Sequence, residues 1–228
     1  MPRMKKPARS AAKTATREHG EQTRQQLLEV AGRVFAQHGY SRATSKEICE
    51  RAGANIAAVN YYFGGKEGLY AAVLELAHAR LVSLDLVTQT TQGRGTPADK
   101  LRTLLGRVID EISKRNDGSW ELRVLSREVL SPTPMSDPMI AKQIKPKFKL
   151  MAGMIADVLG VPAGDPAVSR CMVSIVGPCG ILLLTDPVWQ KRVFPSLALD
   201  PEKLVDHMVT FAMGGLNAVA TETRRRRR

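Results

Sequence analysis

The sequence is poor in the residues that build metal centres, disulfide frameworks and hydrolytic sites. Its 228 residues include only three cysteines, Cys49, Cys171 and Cys179, and no C-x-x-C pair. That excludes a zinc ribbon or a disulfide-stapled fold and points to buried thiols in a reducing cytoplasm. The four histidines (His19, His38, His78, His207) are scattered, with no H-E-x-x-H, so no metal, no cofactor and no catalytic residue is expected. A G-x-S-x-G elbow is absent too, which removes one route to a serine nucleophile. Aromatics make up 5% of the chain. No stretch alternates with period two, so no sheet is expected. The N-terminus is basic and lacks an apolar h-region, so no secretory signal is visible. The most apolar stretch, Cys171 to Leu184, is interrupted by Pro178. It falls short of the ~20 residues that span a bilayer, which predicts a buried helix and no membrane partner.

What is abundant is positive charge, and its location matters. The formal net charge is +12. Residues 1–20 hold Arg3, Lys5, Lys6, Arg9, Lys13 and Arg17 against the single acid Glu18, and residues 224–228 are five arginines. Each tail supplies +5, leaving +2 for the rest. Both tails lack apolar periodicity, so 1–20 is expected to be a disordered basic arm and 223–228 an Arg tail.

Between the tails, helix signals dominate. Leu27, Leu28, Ala31, Val34 and Phe35 mark one face of a helix from Glu21 to Gln37, which Gly39 stops. Thr44 or Ser45 caps a second helix carrying Ile48, Cys49 and Ala52, with Glu47 in its first turn to suit the helix dipole. Gly53 ends it. Asn55 caps a third, very short helix, and Gly64-Gly65 breaks the chain before a fourth helix starts near Lys66. Later starts are marked by a capping residue followed by proline at Thr96-Pro97, Asp137-Pro138, Asp165-Pro166 and Asp200-Pro201. Pro146 and Pro178 are expected to kink the helices that contain them. The fold class is all-α, about nine helices.

The third helix, "NIAAVNYY", carries small and polar residues where a core helix would carry large apolar ones. Helix, short glycine turn, short helix is the helix-turn-helix arrangement. A recognition helix needs small or hydrogen-bonding outward residues, so that its backbone can enter a major groove ~12 Å wide. Ile56, Ala57, Ala58, Asn60 and Tyr61 meet that need, while Ile48 and Val59 pack between the helices. "FGGKEG" is not a phosphate loop, because Lys66 is followed by glutamate and preceded by helix.

The run "TRQQLLEVAGRVFAQHGYSRATSKEICERAGANIAAVNYYFGGKEGLYAAVLE" resembles the tetracycline-repressor (TetR) family over Thr23 to Leu81. Its "NYYF" run is similar to that of a subgroup with asparagine where most members have tyrosine. The resemblance implies a helix-turn-helix DNA-binding domain over 21–66 and a ligand-binding, dimerising domain over 67–222. It also implies a homodimer that regulates transcription, most often as a repressor, on a double-stranded DNA operator, and that a small-molecule effector releases. Carried over by position, Thr44 and Lys66 meet phosphates, Asn55 through Tyr61 line the groove, and Ser45 is a further DNA-binding residue. The last long helices become the dimer surface, with Met172, Ile175, Cys179, Leu183, Leu204, Met208, Phe211 and Gly215 as its residues. Seven of nine methionines lie between Met135 and Met213, and flexible thioethers suit an adaptable pocket. Trp120, Arg123, Glu128, Met151 and Met154 are its candidate lining. The expected location is the bacterial cytoplasm, at the nucleoid. The alternative is a non-specific DNA-compacting protein that uses its basic tails.

Overall fold

The structure, a computed structural model, describes residues 9–114, 119–195 and 200–226. Among these every regular element is helical. The chain divides into two compact units, 1–74 and 75–228.

In the first unit, α1 (Arg9–Arg42) buries Leu27, Leu28, Ala31, Val34 and Phe35, the stripe its periodicity marks. Gly39 breaks the helix with φ 74°, a left-handed φ that costs glycine nothing. The α1 backbone is helical from Arg9, twelve residues before the start expected at Glu21. The supposed disordered arm is therefore helical over 9–20, consistent with its alanine content; Arg3, Lys5 and Lys6 lie outside the described residues. α2 (Ser45–Ala52) and α3 (Ile56–Phe63) follow. The first half of α4 (Lys66–Leu81) closes the small core with Leu69, Tyr70, Val73 and Leu74. Tyr70 meets Phe35 edge-on at 4.8 Å between ring centroids.

The second unit holds the rest of α4, then α5 (Leu84–Gln92), α6 (Pro97–Ser113) and α7 (Trp120–Leu130). The short α8 (Asp137–Met139) and a π-helical turn at Ile140–Ile144 lead into α9 (Lys145–Leu159). α10 (Pro166–Leu184), α11 (Pro187–Val193) and α12 (Pro201–Arg226) complete it. Its core is built from Leu101, Leu105 and Ile109 of α6, Ile155 and Leu159 of α9, and inward residues of α10 and α12.

Three of the four cap-proline signals behave as expected. Thr96 forms a full capping box with Asp99. Asp165 accepts from the Ala167 amide, and Asp200 from those of Glu202 and Lys203. Asp137 does not cap: it is already helical, and the turn before it is held by Ser136 Oγ donating to the Thr133 carbonyl. A further site, Asp186-Pro187, starts α11, with Asp186 accepting from the Val188 amide. Pro146 stands in the first turn of α9, directly after the π-helical turn at Ile140–Ile144, and Pro178 lies inside α10.

α10 is 19 residues long, longer than its apolar run suggests, and by length and composition could cross a membrane. Val168, Cys171, Met172, Ile175 and Cys179 instead sit in the core of the second unit. The C-terminal arginines continue α12 to Arg226, where they complement the helix dipole, and Arg226 pairs with Glu222 at 2.7 Å. The Arg tail is thus helical through Arg226, and Arg227 and Arg228 lie outside the described residues.

Candidate nucleic-acid interface and ligand cavity

Local chemistry sets α2 and α3 at a tight corner. Thr44, in extended conformation, accepts the Glu47 amide at 3.2 Å and starts α2. Gly53, at φ 60°, ends it, and the Ala54 amide returns to the Cys49 carbonyl at 3.0 Å. Two residues later Asn55 Oδ1 accepts the Ala58 amide at 2.8 Å and starts α3. Ile48 and Val59 are buried between the helices. Along the rest of α3, Ile56 is 51% and Tyr61 82% exposed, with Ala57 and Asn60 also exposed. Lys66 lies over the Tyr40 ring at 4.4 Å, which holds the ammonium at the start of α4.

One cation escaped the sequence reading. Lys46 stands in the first turn of α2 with its side chain 80% exposed. A positive charge there opposes the helix dipole, and that mismatch was the available signal.

In the second unit, α4, α5, α6, α9 and α10 line a partly open cavity of about 190 Å³. Leu81, Val87, Leu104, Val108, Met151 and Val176 are among its apolar lining. Two nitrogen bases interrupt that wall. Lys147, in the first turn of α9, is 3% exposed. Its Nζ donates to Gln143 Oε1 at 3.1 Å and lies 3.0 Å from His78 Nδ1. Burial brings the Lys147 ammonium down to about 8, and burial followed by the charge of Lys147 pushes His78 down to about 4. His78 is therefore neutral at pH 7. Cys179, also on the wall, is pushed by burial up to about 11 and is an inert thiol.

Comparison with known proteins assigns both units. Residues 27–73 match the model of the bacterial regulatory proteins of the tetR family. Residues 97–216, more than half of the chain, match the C-terminal domain of the HTH-type transcriptional dual regulator CecR. The chain belongs to the TetR family. It is a helix-turn-helix transcriptional regulator and not an enzyme. It is 32% identical over 160 residues to the dual regulator CecR of Shigella flexneri, covering 64% of this chain and 69% of that one. It is 28% identical over 201 residues to the transcriptional activator FasR of Mycolicibacterium smegmatis, covering 87% and 85%. The fold is similar to that of FadR from Bacillus subtilis, solved in complex with stearoyl-CoA, at 16% identity and a TM-score of 0.63, over 84% of this chain and 98% of that one. The likeness of this TetR-family chain to its relatives thus extends well beyond the N-terminal run that carries the sequence resemblance.

The candidate DNA-contacting residues gather on one small unit: Thr44 and Ser45 at the start of α2, Asn55 through Tyr61 along α3, Lys66 at the start of α4. The candidate pocket residues do not gather. Met151 lines the cavity, but Trp120, Arg123, Glu128 and Met154 do not. Trp120 is buried under the Arg80 guanidinium at 5.6 Å, and Glu128 is buried accepting from Thr133 N and Oγ1 at 2.6 and 2.9 Å. Arg123 is exposed and Met154 belongs to the core. The residues that do line the cavity beside Met151, His78 and Lys147 above all, were missed. The candidate dimer residues split as well. Met172 and Cys179 are buried in the chain's own core and Leu183 lines the cavity, which gives these three intrachain roles, whereas Ile175 and Met208, also largely buried, line a groove along α10 and α12 with Leu204 and Phe211. Leu204 is half-buried, while Phe211, 74% exposed, and Gly215 face outward.

Proposed function

We propose that this chain is a homodimeric, ligand-responsive repressor that acts in the bacterial cytoplasm at the nucleoid and reads a near-palindromic operator with α3 of each copy. The observation that carries the reading is the polarity of α3: Val59 is buried, while Ile56, Ala57, Asn60 and Tyr61 are exposed. Ala57 and Ala58 let the backbone approach base edges, and Asn60 offers a donor and an acceptor together. Thr44, Ser45, Lys46 and Lys66 serve the flanking phosphates. Phe211, Ile181 and Val173 are 74%, 60% and 71% exposed on α12 and α10. With Gly214 and Gly215 giving room for close approach, they suit a four-helix intersubunit bundle. Repression needs only that a bound dimer cover a promoter, with no polymerase-contacting surface.

The cavity in the second unit is the effector site of this reading. α4 bears Lys66 in its first turn and His78 in its later turns, so one helix belongs to both units. An effector that binds one setting of α4 better than another by ~1–3 kcal/mol shifts operator affinity by a matching factor. The stearoyl-CoA of the Bacillus subtilis protein supports ligand binding in such a body. At 16% identity it does not specify the ligand, and a cavity of 190 Å³ is far smaller than that molecule.

Fluorescence anisotropy with DNA from upstream of the chain's own gene tests the reading. Tyr61→Ala weakens binding at least about tenfold with the melting temperature unchanged. Removal of residues 1–17 lowers the salt slope of binding. Equal affinity for unrelated DNA, insensitive to Tyr61, would favour the compacting alternative, which no comparison supports.

A further inference from the structure

The cavity holds a charge with no counter-charge. Lysine is almost never fully buried unless paired, and a buried ammonium needs an anion. Lys147 is 3% exposed. Among the described residues its partners are the neutral Gln143 and His78, and no carboxylate pairs with it. The acids nearby hold other cations: Glu75, one turn before His78, binds Lys142 at 2.9 Å, and Glu121 binds Arg80 at 2.8 Å. With Nδ1 of His78 facing the ammonium, the neutral ring keeps its proton on Nε2 and becomes a second donor. The site therefore presents donors and one positive charge at the edge of an apolar space.

We infer that the cavity receives an apolar molecule ending in a single carboxylate, which pairs with Lys147. One ammonium balances a monoanion, whereas a phosphate dianion leaves a buried charge uncompensated. A cavity of about 150 Å³ accommodates benzene, so 190 Å³ fits an acid of benzoate size or a short aliphatic acid. Leu81, Leu104, Val108 and Ile112 receive its apolar part. The inference rests on the proposed effector role of the cavity for its regulatory consequence, and on the geometry alone for binding.

The test uses the full chain and calorimetric titration with octanoate and benzoate, against octanol, octylamine and octyl phosphate. The wild-type protein binds one of the acids at least about tenfold tighter than octanol, the size of one charge-assisted hydrogen bond. Lys147→Met erases that ratio and leaves octanol binding within about twofold; Lys147→Gln takes its place if the methionine variant does not fold. Acid binding unchanged in these variants overturns the inference. So does no acid binding at all, or a preference for octylamine or octyl phosphate. Operator release is read separately. An acid that binds through Lys147 yet leaves DNA affinity unchanged upholds the site and removes the effector reading.

Discussion

Replacing Lys147 by methionine should cost the ligand-free protein little at neutral pH, although it deletes two hydrogen bonds. Burial lowers the ammonium from 10.5 to about 8, and each pKa unit corresponds to 1.36 kcal/mol, so the folded state carries a penalty of about 3 kcal/mol for the charge. Methionine keeps the stem and removes that penalty. It leaves Gln143 Oε1 and His78 Nδ1 without their charged donor, a loss of about 1.5 kcal/mol each. The two terms nearly cancel at pH 7, so the melting temperature should stay within ~2–4 °C of the wild type. The pH dependence is more diagnostic. The folded-state pKa lies below the unfolded one, so the unfolded chain binds more protons between about pH 8 and 10.5, and wild-type stability rises with pH through that window. The penalty is fully present below pH 8. Between pH 7 and 9.5 the wild type should gain about 2 kcal/mol on the variant. Urea denaturation of both proteins across that range measures the difference, and every group common to both cancels. Parallel profiles would refute the premise that Lys147 is buried without a counter-ion.

Other outcomes follow from the same geometry. At pH 8, where Lys147 is about half protonated, binding of a carboxylate should draw about half a proton per site, because a nearby anion raises an amine's pKa; titration in buffers of different ionisation heat measures it, and zero uptake would count against the pairing. Asn55→Ala should destabilise the first unit by ~1 kcal/mol through loss of the α3 cap. Asn55→Asp should keep the cap and the melting temperature but weaken operator binding, since a carboxylate repels phosphate. Phe211→Glu should convert dimer to monomer in sedimentation while the circular dichroism spectrum stays helical; an unchanged dimer would place the interface elsewhere.

The small unit was legible in the sequence because its geometry is local. Thr44, Gly53, Asn55 and Gly64 are caps, and a cap is decided by a handful of consecutive residues. Each appears where its side chain or its freedom from a Cβ requires. The same local logic marks Thr96, Asp165 and Asp200. It was missed at Asp186-Pro187 although the signal is there. α5 gave little warning, because Leu84–Gln92 is rich in threonine and glutamine and has few apolar anchors.

The sequence alone determined that this chain is helical, where its head turns, and which face of α3 lacks core residues, since all three follow from spacing within a few residues. Tertiary structure decided the rest. α10 and α12 are apolar on more than one face, so only packing shows that Met172, Ile175 and Cys179 turn inward while Val173 and Ile181 turn out. Lys147 sits in "KPKFK", which reads as a solvated basic run. It becomes a buried charge only because α4 and α5 are folded over that face of α9, a long-range event that no local pattern encodes.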